Sequence, residues 1–254
     1  MEVGLNLFSI RNLIASENDF RDSLIKIKDM GYRYVQYSGA TYDPDMIKRV
    51  TEEIGMPVCL THVPLDRILN ENDKLMEEHS KFGCKNIGRG SLKFDYYVNE
   101  KMFKDVIDAL QEVAVKMKKN GFHFSYHHHN SEFCKIGDRT GFDYIVENAP
   151  DVNITLDTYW VQNGGADVID TIKRVSGRIE CVHLKDYKVI CDTSNDTYQA
   201  KYAPVGAGNM NFKKIVETMR DCGAKYYLVE QDDAAELPNT LELVKQSMDY
   251  LKTL

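Results

Sequence analysis

The chain has 254 residues, enough for one large α/β barrel or two small domains and ample for a buried core. Hydrophobic residues make up 43% and charged residues 28%, which excludes a disordered chain, and a net charge of −7 argues against a nucleic-acid partner. Cys59, Cys84, Cys134, Cys181, Cys191 and Cys222 form no CxxC pair and read as reduced thiols. The first ten residues carry no basic stretch followed by a long apolar run, and no apolar run is long enough to span a bilayer. A cytoplasmic protein with no membrane partner is expected.

Short apolar or β-branched runs alternate with longer amphipathic stretches. A strand is predicted over 3–8 and a helix over 19–30. A second strand at 33–37 leads to a helix starting at Asp43-Pro44, where a first-turn Pro sacrifices no hydrogen bond. Strand 57–61 precedes a long helix over 66–82, a short strand at 86–87 precedes a helix over 99–119, and strand 122–127 precedes a short helix at 143–148. The last three pairs are strand 153–156 with helix 167–175, strand 179–184 with helix 211–221, and strand 226–229 with helix 238–251. Gly31, Gly55, Gly83, Gly121, Gly177 and Gly223 stand at helix ends, where glycine supplies the left-handed terminating residue. Strict βα alternation over eight pairs predicts an α/β chain folded as a single (β/α)8 TIM barrel spanning 1–254. A doubly wound sheet would place a glycine-rich phosphate loop after the first strand, but that position reads Ser9-Ile10-Arg11-Asn12. The one long irregular insertion, 185–209, falls between the seventh strand and its helix and is expected to act as a lid.

In such a barrel the chemistry sits at the carboxyl ends of the strands. Polar residues collect at those ends: Thr61-His62 on strand three, Tyr126-His127-His128-His129-Asn130-Ser131-Glu132 on strand five, Asp157 on strand six, His183-Leu184-Lys185 on strand seven and Glu230 on strand eight. Asp157, His183 and Glu230 follow apolar strands on three successive units and therefore converge on the barrel axis. Carboxylates crowded into one mouth repel each other unless a cation lies between them. A mixed carboxylate and imidazole set suits Mn²⁺, Zn²⁺, Co²⁺ or Fe²⁺ better than Ca²⁺. Alternation puts His127 and His129 on one face and turns His128 the other way, toward packing.

Six segments in order, Leu7-Phe8-Ser9-Ile10-Arg11, Tyr126 to Phe133, Leu156-Asp157-Thr158-Tyr159-Trp160, His183-Leu184-Lys185-Asp186, Pro204 to Asn209 and Val229-Glu230-Gln231-Asp232, resemble the xylose-isomerase-like barrel superfamily, within its sugar phosphate isomerase/epimerase group. The resemblance implies four ligands to one divalent ion, Mn²⁺ or Zn²⁺ first, with Co²⁺, Fe²⁺ or Mg²⁺ also admissible. Asp157, His183 and Glu230 map cleanly. Glu132 is favoured over His127 as the fourth, with His127 and His129 then facing substrate. Relatives commonly carry Glu at the end of strand two, where this chain has Gln36, which can bind a hydroxyl but cannot act as a base.

The resemblance also implies a small-molecule sugar substrate and α-proton abstraction beside its carbonyl through a metal-stabilised enediolate. Glu132, Glu230 and His127 are the candidates for proton transfer, and Lys185 for charge stabilisation. His62, His129 and Trp160 are the expected substrate contacts. Gly206 and Gly208 are spaced like a phosphate loop, although a turn closing the insertion fits them better. The same site would serve an inosose dehydratase or a 3-keto-glycoside lyase or hydrolase. A non-catalytic sugar-binding barrel finds support only in Gln36, and an abasic-site endonuclease is disfavoured by the negative charge. A homo-oligomer is left open.

Overall fold

The computed structural model describes all residues, Met1–Leu254. Eight parallel strands close into a barrel: β1 (Val3–Asn6), β2 (Val35–Tyr37), β3 (Val58–His62), β4 (Asn86–Arg89), β5 (His123–His127), β6 (Asn153–Asp157), β7 (Cys181–Leu184) and β8 (Tyr226–Val229), each hydrogen-bonded to its sequence neighbours and β8 to β1. The single (β/α)8 barrel expected from the alternation is the fold observed. No helix is long and apolar enough to cross a membrane, and all six cysteines are unpaired.

The two-residue period of each strand decides what faces the axis. Leu5, Val35, Ile154, Leu156, Val182, Leu184, Tyr227 and Val229 point outward into the layer between barrel and helices. The alternate positions point inward. Near the amino ends they are Tyr34, Cys181 and Leu228, which with Cys59 and Leu60 make a small separate apolar plug. One or two residues further along each strand the inward positions become Asn6, Gln36, His62, His127, Asp157, His183 and Glu230. A floor that is apolar on β2, β3, β7 and β8, with Ser125 and Thr155 on β5 and β6, therefore carries a polar mouth.

The helices end where local chemistry dictates. Ser16 and Asp19 form a reciprocal capping box at the start of Glu17–Met30, and Asp43 caps Pro44–Ile54 with Pro in the first turn. The long helix expected over 66–82 is two helices, Leu65–Asn70 and Asn72–Lys81, interrupted at Glu71. The Asn72 side chain donates to the Ile68 and Leu69 carbonyls, competing for groups that would continue the first helix. The strand expected over 3–8 stops at Asn6, whose side chain accepts from Phe8 N–H at 3.2 Å and opens a 3₁₀ segment over Leu7–Leu13.

The insertion 185–209 is ordered, in contrast to the irregular loop expected. Asp186–Asp192 and Thr197–Ala203 pair as an antiparallel hairpin. Its base rests on the barrel, with Tyr187 and Tyr202 packing against Tyr159. Asp186 pins that base by accepting from the backbone N–H groups of Tyr187, Gly206, Gly208 and Met210. Gly208 is required here because a Cβ would overlap the Asp186 carboxylate and the Tyr187 carbonyl. The amides of Gly206 and Gly208 are thus committed to Asp186, which settles the phosphate-loop spacing as a turn.

Candidate metal centre

The barrel register brings four side chains to one point. Asp157 is paired with His183 across β6 and β7, and His127 with Thr155 across β5 and β6. One ligand atom each from His127, Asp157, His183 and Glu230 lies within 4.8 Å of the others, and all four residues are buried. His127 Nε2 is 3.1 Å from His183 Nδ1 and 3.3 Å from Asp157 Oδ2, and Glu230 Oε2 is 2.8 Å from His183 Nδ1.

Each side chain is held so that one atom faces inward. Asp157 caps the helix Thr158–Asn163 through Oδ1, which accepts from Trp160 N–H at 3.0 Å, leaving Oδ2 for the cluster. Its backbone N–H donates to His128 Nε2 at 3.2 Å. His128, turned away as alternation requires, packs on Phe133 and Phe142 and positions Asp157 from behind. Glu230 Oε1 accepts from Asn6 Nδ2 at 2.7 Å, and Asn6 is in turn bonded by the Ser38 hydroxyl. Glu230 Oε2 has no well-aligned hydrogen bond despite its close cationic neighbours. His183 Nε2–H donates to Gln36 Oε1 at 2.6 Å, which leaves Nδ1 directed at the cluster. Gln36 therefore orients an imidazole, a role not expected from the sequence.

The electrostatics call for a positive charge. Two carboxylate oxygens within 4.8 Å repel by at least about 3 kcal/mol at an effective dielectric near 20. Lys185, inward by the same period that turns Leu184 outward, places Nζ 3.0 Å from Asp157, Glu230 and Asp232. Burial raises the carboxyl pKa values of Asp157 and Glu230, but Lys185 and the imidazoles outweigh it and hold both well below the usual range. Burial lowers that of His183, yet Glu230 and Asp157 reverse this and push it up to about 9. A divalent ion at the same point would answer this negative field and leave His183 neutral. The donor set of two imidazoles and two carboxylates fits Mn²⁺, Fe²⁺, Co²⁺ or Zn²⁺, and its His183–Gln36 bond is the outer-shell contact such a ligand needs.

Glu132, the favoured fourth ligand, is not part of this cluster. It is fully buried behind β5, where its carboxylate accepts from the Tyr97 and Tyr126 hydroxyls and from His129 N–H. A carboxylate with its oxygens so occupied has none to turn inward, and His127 stands at the strand end instead. Burial pushes the Glu132 pKa up against those hydrogen bonds.

The centre opens into a cleft of about 510 Å³ with one hydrophobic residue, Phe8, among its lining. His62, His127, His129, Lys185, Glu230 and Asp232 form its inner wall. His62 stacks on His127 at 5.3 Å, and its Nε2 is buried without a partner. Gly88 makes room for that ring, since a Cβ there would come within 2.9 Å of it. Burial depresses His62 to about 3 and His129 to about 4, so both are neutral. Trp160, expected to stack on a sugar, is absent from the lining. It backs His129 at 4.8 Å and lies over Lys185 at 5.2 Å. Asn6, Arg89 and Asp232 were missed as site residues, and Gln36 was read only as able to bind a hydroxyl; for Asn6, a polar side chain at an inward strand position was the available signal.

The family model described as xylose isomerase-like TIM barrel matches residues 24–254. An inosose dehydratase of Clostridium perfringens strain 13 is 24% identical over 94% of this chain and 91% of its own length, and a second enzyme of that name from another strain aligns over 56% of its length. Among solved structures, a sugar phosphate isomerase/epimerase from Parabacteroides distasonis superposes with a TM-score of 0.79 at 24% identity, covering 100% of this chain and 98% of that one. A xylose isomerase-like TIM barrel protein from Mycobacterium smegmatis, in complex with magnesium, gives 0.73 at 14% identity over 99% and 95%. With the family model spanning most of the barrel, the chain belongs to the xylose isomerase-like TIM barrel family.

Proposed function

We propose that this chain is a divalent-metal-dependent enzyme that isomerises or epimerises a sugar or cyclic polyol ketone by moving a proton on the carbon next to the carbonyl. The observation that carries the reading is the convergence of His127, Asp157, His183 and Glu230 at the floor of a polar cleft. These four residues would hold the ion. When bound, it supplies Lewis-acid polarisation of a substrate carbonyl.

The chain's own residues account for the remaining steps. His62 and His129, neutral and facing the cleft, exchange hydrogen bonds with substrate hydroxyls. Lys185 holds a fixed positive charge beside the oxygen that becomes negative as the proton leaves. Proton transfer is assigned to the carboxylates on the cleft wall beside Lys185, Glu230 and Asp232, in place of Glu132, which its tyrosine partners turn away. Trp160 and Glu132 position His129 from behind. The near full-length alignment with an inosose dehydratase favours a second outcome of the same first step, loss of a neighbouring hydroxyl as water.

Solvent deuterium exchange tests the reading. Incubation of Mn²⁺-loaded protein in D₂O with a panel of ketoses and inososes is expected to label the carbon next to the carbonyl of at least one compound. Asp157→Asn should abolish that labelling. Absence of exchange across the panel, or equal exchange by Asp157→Asn, would overturn it.

A further inference from the structure

Arg89 ends β4 at the rim of the barrel, where two depressions meet. It lines the main cleft with His62, Gly90 and Ser91, and it lines a neighbouring recess of about 450 Å³ with Lys93, Tyr96 and Asp66. The residue is half-buried, yet its side chain makes no hydrogen bond and no ion pair within the protein, and its Nε is shut off from solvent without a partner. The other partly buried arginines are all engaged. Arg11 bonds the Phe8 and Asp232 carbonyls and pairs with Glu236. Arg67 pairs with Glu71 and Glu78. Arg178 bonds the carbonyls of Val146, Ala149 and Val152. A guanidinium offers five donors and no acceptor, so leaving it unmatched at a half-buried site is costly unless a ligand reaches it.

We propose that Arg89 clamps an oxyanion of the substrate, so that the sugar derivative handled here carries a carboxylate or phosphate on the β4 side of the cleft. The inference rests on the sugar-substrate reading above. The planar fork of arginine presents two parallel N–H groups that match either group. Charge points the same way. With a divalent ion bound, that ion and Lys185 balance Asp157, Glu230 and Asp232, and Glu236 balances Arg11. Arg89 is the charge on the cleft wall left without a counterpart. Asp66, across the recess, is not within ion-pair distance. The space beside Gly90, the next residue, is open. A Cβ on Gly90 would meet only His62 Nδ1, at 3.8 Å.

Calorimetric binding of inorganic phosphate, D-gluconate and neutral xylitol to Mn²⁺-loaded wild type, Arg89→Gln and Arg89→Lys tests the proposal. At least one anion should bind wild type and weaken by about tenfold or more in Arg89→Gln. Arg89→Lys should restore part of the affinity, because a point charge lacks the fork. Mn²⁺ affinity and Tm should be unchanged, which marks the variant as folded, and any xylitol binding should weaken less than anion binding. Phosphate binding alone identifies a sugar phosphate, and gluconate binding alone a sugar acid. Equal anion binding by wild type and Arg89→Gln, or no binding of either anion, overturns the proposal. Failure of the enzymatic reading shows separately, as missing Mn²⁺ uptake and missing solvent exchange.

Discussion

Replacing Gln36 with Leu removes the one acceptor of His183 Nε2–H and puts a slightly shorter apolar side chain at a fully buried site. Two consequences follow. The imidazole loses the bond that fixes its tautomer, so the proton can move to Nδ1 and occlude the lone pair offered to the ion. Outer-shell partners of metal-binding histidines typically contribute 10–100-fold to affinity, or roughly 1.4–2.7 kcal/mol. The stranded N–H also destabilises the fold by about 1–3 kcal/mol. Mn²⁺ titration followed by electron paramagnetic resonance should show the affinity loss, and a thermal melt of metal-free protein the stability loss. Gln36→Glu should bind Mn²⁺ at least as tightly as wild type, because a carboxylate partner raises the basicity of the imidazole. Unchanged Mn²⁺ affinity in Gln36→Leu would refute the assignment of His183 Nδ1 as a ligand atom oriented by Gln36.

Glu132→Gln should retain Mn²⁺ stoichiometry while losing about 1–3 kcal/mol of stability, since the Tyr97, Tyr126 and His129 donors then face a weaker acceptor; loss of metal would return Glu132 to the ligand set. His79 is buried between the Thr61 hydroxyl and the Leu75 carbonyl, and burial depresses it from 6.5 to about 4. The unfolded chain therefore binds a proton that the folded chain refuses, so this contribution is full above pH 6.5 and falls by about 3 kcal/mol as pH drops toward 4. Chemical denaturation across that window should show a shallower pH slope for His79→Phe, and an identical slope would count against the neutral assignment. Asp186→Ala should speed proteolytic cleavage within 187–209, because four backbone N–H groups lose their shared acceptor; unchanged cleavage would remove Asp186 as the anchor of the hairpin.

Strand–helix alternation made the barrel legible, because parallel strands buried on both faces read as short apolar runs and helix ends carry glycine. The break at Glu71 was not legible, since it depends on which carbonyls the Asn72 amide reaches. Asp157, His183 and Glu230 were legible as polar residues directly after apolar strands. Ligand chemistry favours Glu132 as the fourth ligand, whereas the strand places His127 in the cluster. Sequence gave no sign of the Tyr97 and Tyr126 hydroxyls that hold Glu132 outside, because Tyr97 comes from a different βα unit. Lys185 and Gln36 likewise draw their roles from partners on distant strands. Arg89 is visible only as a charge without a counterpart, and the absence of a partner cannot be read from a chain.

The metal content of purified Asp157→Asn tests the central assignment most directly. Asparagine keeps an oxygen to cap Thr158–Asn163 through Trp160 N–H, so the helix start survives while the inward carboxylate oxygen becomes an amide. After incubation with Mn²⁺ and removal of free ion, elemental analysis should find close to one equivalent in the wild type and far less in the variant, with both proteins folded. Equal metal in both proteins would contradict a centre built from His127, Asp157, His183 and Glu230.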